Sequence, residues 1–377
     1  MRLESPSWLT RAPLGLRKAL AWYIPSRIVL TLVGLLSQRL LQRAPSGRFS
    51  VHAWLDLWGQ WDTGWYLNIA EHGYSPFTSS DPGSVGQANY AFFPLYPLLA
   101  RALAAACFLP VFVAGLLIAN ACLLWASTVL YEIVEHEYGA ITAGRALAFF
   151  FVFPSNFLCS AFLSESLYLL LVLLCFRAAL KERWLQLAVF GLLIGLTRPP
   201  AVCLAPALLY EYLRRRNFEW RSVGWQVLAI ASVAVGPLLF VLFVRHLTGD
   251  AGAFFRTQAA WGRHSGNPLL ILVRGLLGSD KNQRFSAFCA IALGAVLGVS
   301  ARKVRPSYLI FAGCSLLLPL SSSVISMPRF SATIFPTWIA LARLVQGRRA
   351  VAVVGGCLAV TQCVWMVLWV NHFSMMA

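Results

Sequence analysis

The sequence predicts an all-α, polytopic transmembrane helical bundle of about eleven helices, and three observations lead there. Of its 377 residues, 59% are apolar and only 12% charged, whereas a soluble domain carries about 25% charged residues; mean hydropathy is +0.68. Apolar runs follow one another along almost the whole chain, and a spanning helix needs about 20 residues. Short arginine clusters punctuate those runs, as cytoplasmic loops and headgroup contacts require. The formal net charge is +17, and Lys occurs only at 18, 181, 281 and 303. A pI near 10.0 can signal nucleic acid, but cations spaced between apolar runs signal membrane lipid. Soluble and nucleic-acid classes are excluded.

The chain reads as one domain, 1–377. A basic flank (Arg2, Arg11, Arg17, Lys18) precedes an apolar run from about Ala19 to Leu41, with no small-x-small cleavage site after it; a retained signal-anchor is expected, its N-terminus in the cytoplasm. Residues 42–91 form the first outer loop. Apolar runs then cover 93–109, 110–134, 142–160, 162–180, 184–213, 223–245, 285–300, 306–321, 329–345 and 350–370. The run at 184–213 reads as one helix kinked at Arg198-Pro199-Pro200, which puts Lys181-Glu182-Arg183 outside; two short helices are the alternative. Clusters at Arg214-Arg215-Arg216, Arg302-Lys303-Arg305 and Arg348-Arg349 mark cytoplasm. Residues 246–284 then form a second outer loop and 322–328 a short one.

All nine cysteines sit in apolar stretches without a C-x-x-C pair, so they read as small buried hydrophobes. No G-x-x-x-x-G-K-[ST], G-x-G-x-x-G, H-E-x-x-H or D-x-D occurs, which argues against ATP hydrolysis, dinucleotides and a metal-bound sugar nucleotide. No metal or cofactor is expected.

With fourteen acidic residues in the chain, candidate carboxylates can be enumerated. The outer loops hold Asp56, Asp62, Glu71, Asp81, Asp250 and Asp280, and this topology adds Glu132, Glu135 and Glu137. Trp54, Trp58, Trp61 and Trp65 are spaced for one helical face, an interfacial amphipathic helix. Asp62 falls about 80° from that stripe; solvation of the helix's polar side and projection into a headgroup region account for it equally. Glu165 alone interrupts an apolar run, a functional signal by default, with Arg198 as its expected partner; a purely structural ion pair accounts for the two equally. Arg256, Arg263, His264 and Arg329 join aromatics on the outer side. Each alone suits an interfacial anchor; converging, they suit a lipid phosphate.

At these positions the sequence resembles the PIG-V family, the second mannosyltransferase of glycosylphosphatidylinositol anchor assembly, with its bacterial relatives. The carriers are the strings Gln60 to Tyr74 (W-D-x-x-W-Y-x-x-I-A-x-x-G-Y) and Phe92 to Pro97 (F-F-P-L-Y-P). Ser164-Glu165-Ser166-Leu167, Thr257-Gln258 with Trp261, and Pro328-Arg329-Phe330 with Phe335-Pro336 follow in the family's order. The resemblance implies a C-type glycosyltransferase fold. It also implies mannose transfer from a polyprenyl-phosphate donor on the outer membrane face, with Trp61 and Asp62 as the functional pair and Trp65, Tyr66 and Gln258 at the substrate. Eukaryotic members often carry an acid before F-F-P, where this chain has Gln87-Ala88-Asn89-Tyr90. The acceptor, a lipid-linked or other glycan, therefore stays open. Arg-rich usage and compact length point to a bacterial inner membrane, the site facing the periplasm; in a eukaryotic source it faces the endoplasmic reticulum lumen.

The expected chemistry is inverting: Asp62 is general base to an acceptor hydroxyl, the phosphate leaves already ionised, and Arg256, Arg263, His264 and Arg329 hold it. A transporter or flippase is the rival class, although such proteins tend to show internal repeats and none is evident; a non-catalytic subunit is a third reading.

Overall fold

The computed structural model describes residues 13–42, 48–81 and 84–373, apart from the Trp220 side chain. Arg2 and Arg11 of the basic flank lie outside them. The described residues form seventeen α-helices and no strand. Five of the helices are long and apolar enough to cross a membrane: Leu14–Leu41, Val111–Tyr138, Trp225–Thr248 (with its leading turn), Lys281–Val299 and Arg348–Val370.

Helix α1 (Leu14–Leu41) sets the pattern. Ile24, Ile28, Leu32, Leu36 and Leu40 recur at i+4 and point outward, 52–72% exposed, while Ala19, Leu30 and Gly34 are buried. An apolar outer stripe on a long helix is a surface made for an apolar surrounding, lipid or protein. Short α2 (Ala53–Asp56) and α3 (Thr63–His72) follow. Helix α4 (Leu95–Cys107) does not traverse the bundle. It turns at Phe108–Pro110 into α5 (Val111–Tyr138) and lies back along its first turns, where the Tyr96 hydroxyl donates to the Gly115 carbonyl at 3.0 Å. At 1.5 Å per residue, α5 spans about 42 Å.

Helices α6 (Ala140–Val152) and α7 (Glu165–Leu180) are joined through a 3₁₀ turn at Asn156–Ser160. All of α7 but Arg177 and Leu180 is buried, as a helix apolar on every side must be. The 184–213 run is two helices, α8 (Trp184–Gly195) and α9 (Leu204–Arg214), not one kinked helix. The consecutive prolines lack N–H donors and force Arg198 into extended backbone (φ −160°, ψ 149°). Helix α8 therefore runs inward, the chain turns, and α9 returns.

The rest are α10 (Leu228–Thr248), α11 (Ala253–Ala259), α12 (Pro268–Leu277), α13 (Lys281–Val299), α14 (Pro306–Leu320), α15 (Met327–Phe330), α16 (Pro336–Leu344) and α17 (Arg348–Val370). The 246–284 segment thus holds two helices. Of the cysteines, Cys159, Cys175 and Cys203 are buried, but Cys107 and Cys357 face outward, because an apolar exterior accepts them as readily as a core.

This return brings the basic clusters to one end of the bundle. Arg305 bonds Glu137 at the end of α5 (2.6 Å) and Glu211 on α9 (2.5 and 2.9 Å). Arg215 reaches Glu182 (2.9 Å), and the Arg343 guanidinium lies over the Tyr138 ring. Lys181-Glu182-Arg183 accordingly shares its end with Arg214–Arg216 and is not on the opposite side. Glu132, Glu135 and Glu137 close the same end, a helix length from Asp62, and do not share the end of Asp62 as expected.

Helix α8 meets α10 backbone to backbone: a Cβ on Gly236 would lie 2.4 Å from the Gly195 carbonyl carbon. Backbone cannot yield as a side chain can, so Gly236→Ala is expected to cost about 1–3 kcal/mol. Tryptophan-monitored unfolding of the purified protein in detergent checks this; an unchanged midpoint means that the helices do not meet there.

Candidate functional site

The first loop reaches the core through a broken helix. After α2 the chain turns at Trp58–Asp62, with Trp61 in the left-handed region (φ 54°). Gly59 permits the close passage, since a Cβ there would lie 2.7 Å from the Phe49 and Phe112 rings. The Trp58 carbonyl accepts from the Phe162 N–H at 2.8 Å, tying the turn to the segment that leads into α7. The four indoles consequently share no face. Trp54 is exposed, Trp58 is buried, Trp61 packs on His372, and Trp65 packs on Phe92 and Trp261. Asp62 directly precedes α3.

Four other segments converge on Asp62. Glu165 opens α7; Arg198 comes from the α8–α9 break, Arg329 from α15, and Arg263 from the turn after α11. Arg329 bridges the two acids, its Nη1 on Asp62 Oδ2 and its Nε on Glu165 Oε1. Arg198 Nη1 lies 2.9 Å from the same Glu165 oxygen, an ion-pair contact off the line of a hydrogen bond. Glu165 is wholly buried and its Oε2 has no hydrogen-bond partner among the described residues. Asp62 is less enclosed, its side chain 25% exposed. The Arg263 Nη1 donates to Gln258 Oε1 at 3.1 Å. Burial pulls the Arg263 guanidinium below the usual arginine range, with the Asp62 charge opposing, so an anion entering beside it would reinforce its cationic form. The Phe330 ring contacts both Arg198 and Arg263, its centroid 5.4 and 5.8 Å from their guanidinium carbons.

These groups surround a cavity of about 340 Å³, within the range of small-molecule sites. Asp62, Tyr66, Arg198, Gln258, Arg263 and Arg329 line it. Phe92, Phe93, Phe254, Phe255 and Leu318 make an apolar wall, and Ser265, Ser321, Ser322, Ser323 and Ser326 a hydroxyl rim. The rim is strapped by backbone bonds from His264 N–H to the Ser322 carbonyl (3.0 Å) and from Gly266 N–H to the Ser321 carbonyl (2.8 Å). Three guanidinium groups face two carboxylates, one of them behind the wall, which leaves a net positive cavity. Such a site takes an anion that carries both apolar and hydroxyl surface.

Several expected members are elsewhere. Arg256 pairs with Asp250 at the surface, where local attraction competes with any convergence. His264 gives the rim its backbone, and its side chain is exposed. Trp61 and Trp65 pack beside the cavity without lining it. Glu165 touches the cavity only through Arg329 and Arg198. Among the outer-loop acids Asp62 alone lines the cavity. Asp56 is buried, accepting from the Phe49 and Ser50 N–H groups at 3.1 and 2.8 Å, and Asp280 caps α13.

Sequence reasoning missed the serine rim, whose signal was the run Ser321-Ser322-Ser323, and it missed Arg27. That arginine interrupts the first apolar run yet is only 8% exposed, with no ion pair among the described residues. It donates to Asn156 Oδ1 (2.5 Å) and Ser160 Oγ (2.8 Å), and its guanidinium carbon lies 5.8 Å from the Tyr23 and Trp58 ring centroids. Helix α1 is long and apolar enough to cross a membrane, and a charge in the middle of such a crossing would cost about 2.5–3.5 kcal/mol on insertion scales.

No group of three or more His, Cys, Asp or Glu among the described residues is placed to hold a metal ion. No family model matches this sequence, and no curated protein does.

Removing the bridging charge by Arg329→Met leaves Asp62 unpaired and Glu165 with Arg198 alone. The expected loss is about 3 kcal/mol, the lower bound for a broken buried pair, because Arg198 remains. Denaturant unfolding in detergent measures it; wild-type stability would mean that the bridge does not form.

Proposed function

We propose that this chain is a membrane glycosyltransferase of the C-type, akin to the PIG-V family, that moves mannose from a polyprenyl-phosphate donor to a hydroxyl of a lipid-linked or other glycan acceptor. One observation carries the reading: Asp62 has no bond on Oδ1 among the described residues and lines a cavity that also presents three guanidinium groups. A base needs an open oxygen beside the reacting centre, and a departing phosphate needs fixed positive charge where its own charge grows.

In this mechanism Arg198, Arg263 and Arg329 hold the donor phosphate, with its prenyl chain along the phenylalanine wall and its sugar toward the serine rim. The acceptor oxygen attacks the anomeric carbon from the face opposite the phosphate. Its proton passes to Asp62, the carbon–oxygen bond to phosphate breaks, and polyprenyl phosphate leaves with the bonding pair. Configuration inverts. The leaving group is already an anion, so no general acid is required. Tyr66, bonded to Ser164 Oγ at 2.9 Å, keeps α3 against the start of α7.

In this reading eleven segments pass between the two ends of the bundle, α1, α5 to α10, α13, α14, α16 and α17, five of them each long and apolar enough to cross a membrane alone. The α6–α7 pair meets at a buried turn, and the α8–α9 pair at a turn that borders the cavity. We take these as the membrane passes. The arginine-rich end then lies in the cytoplasm and the cavity opens on the far side, the periplasm of a bacterial inner membrane.

Incubation of purified protein with polyprenyl-phosphate-[radiolabelled mannose] and candidate acceptors tests the reading. Asp62→Asn is expected to lower transfer by about 10²–10⁴, and Arg263→Ala by about 10²–10³, while Arg256→Ala stays near wild type. The three arginines supply the positive charge, so transfer is expected to persist in EDTA. Wild-type turnover by the Asn variant, or no transfer from any polyprenyl-phosphate sugar, overturns the assignment.

A further inference from the structure

Arg27 takes no part in the reaction described above, yet it is a buried cation in the first long helix whose side-chain partners are all neutral. Both groups it holds most closely, Asn156 Oδ1 and Ser160 Oγ, belong to the 3₁₀ turn between α6 and α7. Behind that turn lies a second one, Ser331–Thr333, that directly follows α15. The two turns are bonded to each other: Ser155 Oγ and Ser331 Oγ are 2.9 Å apart, and the Cys159 thiol donates to the Ala332 carbonyl at 3.8 Å. Ser331 Oγ in turn donates to the Pro328 carbonyl (2.6 Å), which spans Arg329. Five residues beyond Ser160 the chain reaches Glu165. The turn gripped by Arg27 therefore borders the backbone of both Glu165 and Arg329.

We propose that Arg27 is a positioning residue, holding the Asn156–Ser160 turn against the Ser331–Thr333 turn so that Arg329 reaches Glu165 and Asp62 together. A guanidinium suits this task because its planar fork presents donors to two acceptors in one fixed geometry. Lysine keeps the charge but not the fork, and methionine keeps neither. Rings of Tyr23 and Trp58 flank the group, which is only 8% exposed.

The kinetic part of this inference rests on the transferase reading; the geometric part does not, and the test separates them. Arg27→Met, Arg27→Lys and Asn156→Ala are each made alone and combined with Asp62→Asn, and thermal midpoints are measured in detergent. The expected result is coupling. Asp62→Asn lowers the midpoint in the wild type and does so much less once Arg27 is Met or Asn156 is Ala, because Arg329 then no longer reaches Asp62; Arg27→Lys falls between. Additive shifts, normal for sites that do not communicate, overturn the proposal. If Arg27→Met fails to fold, the Asn156→Ala cycle decides. In the mannose-transfer assay kcat is expected to fall by up to about 100-fold in Arg27→Met, with KM changed little. A raised KM with unaltered kcat overturns the positioning role. Coupled midpoints with no transfer by the wild type sink the transferase reading and leave the placement of Arg329 standing.

Discussion

The arrangement depends on Arg329. A single guanidinium joins a carboxylate from the first loop to one from the centre of the bundle, and through them it joins α3, α7 and α15. A planar fork with five donors can serve two acids at once, where an ammonium cannot fix both directions. Glu165 is wholly buried, which is tolerable only while Arg329 and Arg198 stay in place. Most of what surrounds the cavity follows from keeping those three side chains apart from solvent and in register. The prolines extend Arg198, the left-handed Ser326 (φ 66°) precedes α15, and Phe330 contacts both flanking arginines.

The two ends of the bundle solve different problems with the same residue type. At one end, Arg305 is saturated by Glu137 and Glu211 and by nothing that resembles a substrate. Its guanidinium is pulled down by burial, and the Glu211 and Glu137 carboxylates more than reverse this. That is a clasp between α5, α9 and α14. At the other end cations outnumber acids, and the surplus faces a cavity. Counting arginines does not distinguish a clasp from a binding site; the number of carboxylates within reach of each does.

How far the sequence disclosed this follows from the range of each signal. Hydropathy gave the long helices because apolar length is a local property, and the outer stripe of α1 is written in its i+4 spacing. Asp62, Glu165, Arg198, Arg263 and Arg329 were each visible as polar interruptions, and the structure brings all five together. Their pairing was not visible, because Asp62 and Arg329 lie 267 positions apart. The indole stripe failed because helical spacing presumes an unbroken helix, and Trp61 adopts a left-handed backbone that no periodicity reports. Arg256 was indistinguishable from Arg263 in sequence; Asp250, six residues before it, draws it away. The direction of 184–213 turned on whether two prolines bend a helix or end it, and that is settled by what packs behind the break.

Arg329 also fixes an order of events during synthesis. Asp62 and Glu165 leave the ribosome early, whereas the cation that joins them is made 267 and 164 residues later. Until then Arg198 is the sole counterion the buried acid has. The nascent protein must therefore shelter its acids in an unfinished state, and a product truncated before α15 has every acidic group of the pocket but no clamp. Quality control acting on such fragments has a simple cue in an unneutralised carboxylate at the heart of the assembly.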